Sequence, residues 1–134
     1  MSNNRSDSRG IVTKPSKYSL PETVERIQQT IRAKGLTLFA IVDHNGEAAK
    51  VGLKMQDAKL VIFGSPRAGT PLMVASPLIA LDLPLKALIW KDNEGRVQVS
   101  YNSTTYLAER YSLPGDLTKN IAGIDAIIDS VLSG

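Results

Sequence analysis

Cysteine is absent from this 134-residue chain, and histidine occurs only once. Without thiols, the protein cannot form disulfides, thiolate zinc sites or iron–sulfur clusters, nor use a cysteine nucleophile. A single histidine excludes any metal site built from several imidazole ligands. No apolar run approaches the roughly 18 residues that a membrane-spanning helix requires. We therefore expect no metal, no cofactor and no membrane partner.

Aromatic residues are also scarce, with one Trp, four Tyr and two Phe in the whole chain. A nucleic-acid-binding surface usually combines a dense basic stripe with interleaved aromatic residues. Here the formal net charge is only +3, and the basic residues are dispersed. We interpret this as a mildly basic soluble surface and expect no nucleic-acid partner. A small anionic ligand near the more basic N-terminal half is the alternative reading.

The first ten residues, MSNNRSDSRG, are polar and lack the apolar segment of a secretory signal. We interpret residues 1–9 as a flexible tail and expect a cytoplasmic protein of bacterial type. Neither an internal repeat nor a low-complexity linker interrupts the rest of the chain. Residues 10–134 are therefore predicted to form a single domain.

The clearest predicted helix covers residues 20–34. Ser19 and Glu22 have the spacing of a capping box, and Gly35 supplies a stop. Apolar residues recur at steps of three and four, which places them on one face of a helix. Further short helices are predicted at 71–75 and 77–82, a helix from Ser103 to Tyr111, and a last helix at 116–132.

Strands are predicted at 10–18, 36–42, 59–63, 85–91 and 96–102. The run from Leu36 to Val42 is almost wholly apolar, so we expect it to be the most buried strand, covered on both faces. Two long amphipathic helices each need one covering surface. These elements predict an α/β (α+β) fold, a two-layer sandwich with one mixed sheet of about five strands and helices mainly on one face.

Several short motifs resemble those of a known family. A polar turn, DHNG at residues 43–46, follows the apolar strand, and IFGSPRAGT at 62–70 ends the next one. LMVASPLIALDLPLKALIW at 72–90 and VSYNS at 99–103 complete the likeness, which covers roughly residues 10–132. Together they resemble the bacterial domain of unknown function 302 family. In that family Ser65 stands where asparagine is more common. The resemblance implies a small α/β fold, often a homodimer, and no established activity.

The first candidate site is the turn after the Leu36–Val42 strand. Asp43 and His44 follow the strand end, and a histidine beside a carboxylate can act as a general base. The alternative is structural, with Asp43 capping the following turn and His44 filling a hydrogen-bonding position. A transition-metal site is not expected, because one histidine with scattered carboxylates matches no such pattern.

The second candidate site is the segment from Gly64 to Thr70. Small residues here precede a predicted helix start, and Ser65, Arg67 and Thr70 offer polar or cationic groups. Backbone donors at a helix start, with Arg67 beside them, suit a carboxylate or phosphate. The segment is neither a Walker loop nor a nucleophile elbow. The alternative is an ordinary strand-to-helix turn.

Three functions remain open at this point. The first is a homodimeric domain that binds a small, anionic metabolite at Asp43, His44, Ser65, Arg67 and Thr70. The second is a small enzyme with His44 as acid/base and Arg67 as an anion clamp. The third is a purely structural or interaction protein. A shared site requires the strands 37–42 and 59–63 to run parallel, since antiparallel strands would separate the two turns. The surplus of apolar residues at 72–85 also predicts a homodimer.

Overall fold

A computed structural model describes residues 5–6 and 9–133 of the chain. The strands are β1 (Arg5–Ser6), β2 (Ile11–Ser16), β3 (Thr37–Asp43), β4 (Ala58–Gly64), β5 (Leu85–Lys91) and β6 (Val97–Asn102). The helices are α1 (Leu20–Ala33), α2 (His44–Lys50), α3 (Pro66–Ala75), α4 (Thr104–Arg110), α5 (Gly115–Ala122) and α6 (Ile124–Leu132), with a 3-10 helix at Pro77–Leu81. Most of the expected tail lies outside the described residues, although residues 5–6 pair with β2.

The strands form one sheet in the order β1-β2-β6-β5-β4-β3. The predicted α/β two-layer sandwich is confirmed, but the sheet is not mixed. Every ladder in the described part of the chain is antiparallel. A parallel pair needs a crossover of a dozen or more residues, usually a long helix. The 14-residue link between β3 and β4 contains only one helix, the seven-residue α2. This helix is too short for a crossover, and β4 runs antiparallel to β3.

The expectation that the Leu36–Val42 strand is the most buried one is wrong for the single chain. β3 is the outermost strand of the sheet, and its residues are exposed except Val42, which is half-buried. Its neighbour β4, which has strands on both sides, is more buried, with Val61 and Phe63 fully inside. An apolar run shows that a strand has two apolar faces; it does not show which strand has neighbours on both sides.

Two helix boundaries also differ from the sequence prediction. α3 begins at Pro66 and not at Pro71, because the side chain of Ser65 caps it by accepting a hydrogen bond from the Ala68 amide at 3.3 Å. Pro71 then lies inside the helix. The predicted last helix is divided at Gly123 into α5 and α6. By contrast, α1 begins at the predicted Ser19 cap, which accepts from the Glu22 amide at 3.2 Å.

The core consists of two apolar clusters. The larger one packs α1 and α6 against the inner face of β4, β5 and β6, with Ile27, Ile128 and Phe63 among its fully buried members. The smaller one joins α3, the 3-10 helix, α4 and α5 through Leu72, Ile79 and Ile121. Leu85, the first residue of β5, packs against both clusters, and the space described below lies beside it.

An ion pair between a buried lysine and exposed aspartates attaches α6 to the sheet. The Lys14 side chain is only 5% exposed, and its Nζ lies 2.8 Å from Asp129 Oδ1 and 3.9 Å from Asp125 Oδ1. Beside it, the Tyr101 hydroxyl donates a hydrogen bond to Asp125. Burial and this hydrogen bond raise the pKa of Tyr101 above its ordinary value. Lys14 and Tyr101 therefore attach β2 and β6 to the same helix.

Candidate functional site

A cavity of about 410 Å³ lies at the junction of the two core clusters. Binding cavities for small molecules usually have volumes of about 300–1,000 Å³, apolar walls and a few polar groups. The apolar lining here comes from β3 and the residue before it, α3, the segment around β5, and α5–α6: Leu36, Phe39, Pro66, Met73, Leu83, Pro84, Leu85, Ile121, Ile124 and Ile127. The polar side chains in the lining are Ser65, Thr70, Lys119 and Asn120.

The β3 wall of the cavity depends on an irregularity in the strand. Leu38 pairs with Phe63 and Ala40 with Ile62, so the register shifts by one residue and Phe39 has no cross-strand partner. A bulge of this kind bends the strand and redirects a side chain. Phe39 thereby lines the cavity while remaining 48% exposed.

The α3 wall carries two of the residues predicted from sequence, Ser65 and Thr70. The amides of Ala68 and Gly69 bond back to the Ser65 carbonyl at 3.1 and 2.8 Å, and the Ala68 amide also reaches the Ser65 hydroxyl. These backbone donors at the start of α3 are therefore already used. Serine is among the best N-caps, which agrees with the capping role of Ser65 at the start of α3.

The α5 wall contributes a cation and an amide. Asn120 Nδ2 donates to the Ala68 carbonyl oxygen at 3.0 Å, which joins α5 to α3. Lys119 is exposed and stands in the cavity lining. Within residues 9–133, its ammonium group has neither an ion-pair partner nor a hydrogen bond. The cavity thus combines apolar walls with one exposed, unpaired positive charge in its lining.

The turn at residues 43–46 lies outside this cavity. Asp43 caps α2, accepting from the Gly46 amide at 3.0 Å and from the Lys59 ammonium. The Lys59 hydrogen bond, helped by the Gly46 amide, lowers the pKa of Asp43 below its usual value. His44 is the exposed first residue of α2. Asp43 therefore caps a helix, which is the structural role given above as the alternative to acid–base chemistry with His44.

The antiparallel pairing separates the two turns within one copy of the chain. Thr37 pairs with Gly64 at one end of the β3–β4 ladder, and Asp43 pairs with Lys59 at the other. The ladder is about 17 Å long between these ends at 3.3 Å per residue. His44 and Arg67 therefore leave opposite ends of the ladder. Arg67 is exposed on α3 and is absent from the cavity lining, although its neighbours Pro66 and Ala68 are present.

Sequence reasoning missed the residues on the other wall. Lys119 and Asn120 reach the cavity because α5 packs against α3, about fifty positions earlier in the chain. No local pattern around either residue indicates that contact.

The fold and the match to a sequence family identify the class of protein. The family described as "Domain of unknown function DUF302" matches residues 12–131, nearly the whole chain. The chain belongs to this family, as the motifs in its sequence predicted. A solved structure titled "Crystal structure of uncharacterized conserved protein DUF302 from Bacillus stearothermophilus" has the same fold, with a TM-score of 0.77. It is 17% identical, and the alignment covers 92% of this chain and 95% of that one.

Sequence relatives include proteins from Brucella. "Fluoride-specific ion channel FluC 1" of Brucella suis is 41% identical over 104 residues, which is 78% of this chain and 41% of the relative. "Fluoride-specific ion channel FluC 1" of Brucella abortus is also 41% identical over 104 residues, here 38% of its length. The chain thus spans about two-fifths of these relatives. In the described residues, no helix combines the length and apolar character needed to cross a membrane.

Proposed function

We propose that this domain binds a small amphipathic anion, with its apolar part in the cavity and its carboxylate beside Lys119. The supporting observation is the combination of an apolar cavity of about 410 Å³ with an unpaired lysine in its lining. An apolar body gains about 0.8 kcal/mol for each methylene group that leaves water. Because Lys119 is exposed to solvent, it favours a ligand whose charged end stays near solvent.

A carboxylate suits this cavity better than a phosphate. The α3 amides of Ala68 and Gly69 are already bonded to Ser65, so they are not available to surround a dianion. Phosphate sites usually combine several backbone N–H groups with cations. Lys119 and the Thr70 hydroxyl together supply enough donors for a monoanion.

The proposal includes a homodimer in the cytoplasm as the working form. Some of the apolar residues that suggested an interface, such as Leu72 and Ile79, are buried within the single chain. Others, Val74, Leu78 and Leu81, remain exposed on α3 and the 3-10 helix. A second set of exposed apolar residues, outside the 72–85 segment, lies on β3 and in the connection after α2.

The rival enzyme hypothesis loses its geometric basis within one chain, since His44 and Arg67 lie at opposite ends of the β3–β4 ladder. A purely structural or interaction protein remains a rival. It predicts that the cavity binds no small anion.

A second candidate function comes from the Brucella relatives, whose names refer to fluoride channels. In this alternative, the domain works together with a membrane ion channel. Apolar walls would not replace the hydration shell of fluoride. If the domain itself recognises fluoride, millimolar fluoride will raise its melting temperature when chloride does not. The amphipathic-ligand proposal predicts equal melting temperatures in both salts.

The binding proposal is tested with a homologous series of carboxylates, from butanoate to decanoate, by titration calorimetry. The dissociation constant should fall about fourfold per added methylene until the cavity is full. Octanol should bind more weakly than octanoate. Lys119→Gln should weaken octanoate binding about fivefold and leave octanol unchanged, in line with about 1 kcal/mol for a partly exposed charge pair.

The matched control is Lys54→Gln, which removes another exposed lysine that lies outside the cavity lining. This variant should bind octanoate like the wild type. Equal losses in Lys119→Gln and Lys54→Gln would contradict the proposed role of Lys119. Failure of every carboxylate to bind would contradict the function itself.

A further inference from the structure

Three large apolar side chains on α3 and the 3-10 helix are the most exposed part of the smaller cluster's outer surface. Val74 is 77% exposed, and Leu78 and Leu81 are 70% and 71% exposed. The alanines and prolines beside them are exposed as well, and residues 68–81 contain no charged side chain. We call Val74, Leu78 and Leu81 the outer patch. Contiguous apolar surface of this kind marks a contact site for a protein or a membrane.

The side chains of the outer patch point away from the core. Leu72 on α3 and Ile79 on the 3-10 helix are fully buried in the smaller cluster, so both helices turn one side inward. Val74 lies roughly 200° around α3 from Leu72, which is the opposite side of the helix. Leu78 and Leu81 are one turn of a 3-10 helix apart and share a face. The Cα atoms of Val74 and Leu78, four residues apart, are at most about 14 Å from each other.

A cation borders the outer patch. Arg67 precedes Val74 by seven residues, two turns of α3, so the two residues share a face of the helix. Arg67 is exposed, and its guanidinium group has neither an ion pair nor a hydrogen bond with any residue that the structure describes. The next acidic residue in the chain, Asp82, is already bound by Arg110 at 2.9 Å and by the Tyr111 hydroxyl. The outer patch therefore lies beside a free positive charge.

We propose that the outer patch binds the surface of a lipid bilayer that contains anionic lipids. The three apolar side chains enter the boundary of the acyl chains, and Arg67 lies among the phosphate groups. Peripheral binding of this kind combines buried apolar area with attraction between basic residues and anionic headgroups. The formal net charge of +3 acts in the same direction. The expectation of no membrane partner considered only spanning segments, which peripheral binding does not need.

A bilayer suits the outer patch better than a second copy of the chain. At roughly 120 Å² for each fully exposed apolar side chain, the three side chains expose about 260 Å² per copy. Two facing patches would bury about 520 Å² from these side chains, less than half of the roughly 1,200 Å² that a specific interface needs. A lipid surface requires no complementary shape, so a small apolar patch with a cation is sufficient for reversible binding.

The outer patch also adjoins the cavity along the chain. Met73, which precedes Val74, and Leu83, two residues after Leu81, both line the cavity. A bilayer on the outer patch would therefore lie near the cavity, and an amphipathic carboxylate dissolved in the bilayer would have a short path to it. This exchange of ligand is the one step that rests on the proposed function. Binding to the bilayer itself needs no ligand.

The test is cosedimentation of the full chain with lipid vesicles, without added carboxylate. The chain should bind vesicles of phosphatidylcholine with one-quarter phosphatidylglycerol. The double variant Val74→Ser/Leu78→Ser should bind them at least about tenfold more weakly, because two apolar side chains no longer leave water. The matched control is Val51→Ser/Leu53→Ser, in the connection after α2, where the side chains are 73% and 64% exposed. This control should bind like the wild type.

Arg67→Gln tests the charge separately. It should weaken binding to the mixed vesicles about fivefold and leave any binding to pure phosphatidylcholine unchanged. Lys54→Gln, which removes another exposed cation, should bind like the wild type. All of these variants replace exposed side chains, and melting temperatures check that each one is folded. A wild type that does not bind the mixed vesicles, or equal losses in the two double variants, would overturn the proposal.

Light scattering tests a second copy as the occupant. The molar mass of Val74→Ser/Leu78→Ser should equal that of the wild type. A mass that falls by half would make the outer patch an interface between copies and overturn the bilayer proposal. Octanoate titration distinguishes this proposal from the proposed function. Octanoate binding without vesicle binding rejects only the membrane surface, whereas vesicle binding without octanoate binding supports the outer patch and rejects the ligand.

Discussion

Asn120 on α5 donates a hydrogen bond from Nδ2 to the Ala68 carbonyl oxygen on α3, at 3.0 Å. Both residues line the cavity, so this bond connects two of its walls directly. We expect Asn120→Ala to lower the free energy of unfolding by about 1 kcal/mol, the usual contribution of one hydrogen bond. It should also weaken octanoate binding, because α3 and α5 lose a fixed separation.

The control for this variant is Asn93→Ala, at the exposed tip of the β5–β6 hairpin. Urea unfolding followed by circular dichroism measures both variants. If Asn120→Ala is as stable as wild type and binds octanoate equally well, the Asn120 bond does not shape the cavity.

The Lys14–Asp129 ion pair predicts an asymmetric response to mutation. Asp129→Asn leaves a buried ammonium group with the more distant Asp125 as its remaining carboxylate. Lys14→Met instead leaves two carboxylates whose side chains are 57% and 60% exposed and can be hydrated. Removing one partner from a buried charge is costly, whereas an apolar replacement of similar shape is often neutral.

We therefore expect Asp129→Asn to destabilise the protein by about 2–3 kcal/mol and Lys14→Met by about 1 kcal/mol or less. Denaturant unfolding at neutral pH gives both values. The reverse order would show that Lys14 is not buried as a charged group in the native state.

Tyr101 predicts a loss of stability in alkaline solution. Its folded pKa is raised, chiefly by burial, above the ordinary value of about 10. Above about pH 10, the unfolded state releases the phenolic proton while the folded state keeps it, so increasing pH favours unfolding. The contribution is complete below pH 10 and decreases by up to about 1.4 kcal/mol per pH unit above it.

Tyr101→Phe removes this group and should reduce the slope of unfolding free energy against pH between about 10 and 11.5. Its stability at pH 7 should also be lower, because the hydrogen bond to Asp125 is lost. Identical slopes for wild type and Tyr101→Phe would mean that Tyr101 titrates equally in both states.

Local sequence patterns predicted the individual elements better than their arrangement. Ser19 and Glu22 indicated the start of α1 because a helix cap is formed within one turn of chain. Leu36–Val42 was correctly predicted as a strand, but its place in the sheet depends on β4, β5 and β6. Those pairings join residues far apart in sequence, and periodicity carries no information about them.

Only the part of the site that is formed by residues close together in the sequence could be predicted. Ser65 and Thr70 belong to the turn and helix after β4, and they do line the cavity. Lys119 enters it only through the packing of α5 against α3. The hypothesis of a site shared by His44 and Arg67 depended on parallel strands. The short link between β3 and β4 instead gives an antiparallel pair.

Gly69 offers the most direct test of the cavity as a binding site. It lies in α3, and a Cβ atom there would meet only the tips of Leu83 and Met73, each at 3.9 Å. Both of these residues line the cavity, so a larger side chain at position 69 extends into it without backbone strain. Glycine is also the weaker helix former, so replacement should not reduce the stability of α3.

The decisive measurement is octanoate titration calorimetry of wild type, Gly69→Ala and Gly69→Leu, with melting temperatures recorded for all three. We predict that wild type and Gly69→Ala bind octanoate, and that Gly69→Leu does not, while melting at or above the wild-type temperature. Equal octanoate affinity in wild type and folded Gly69→Leu would contradict the claim that this cavity binds the ligand.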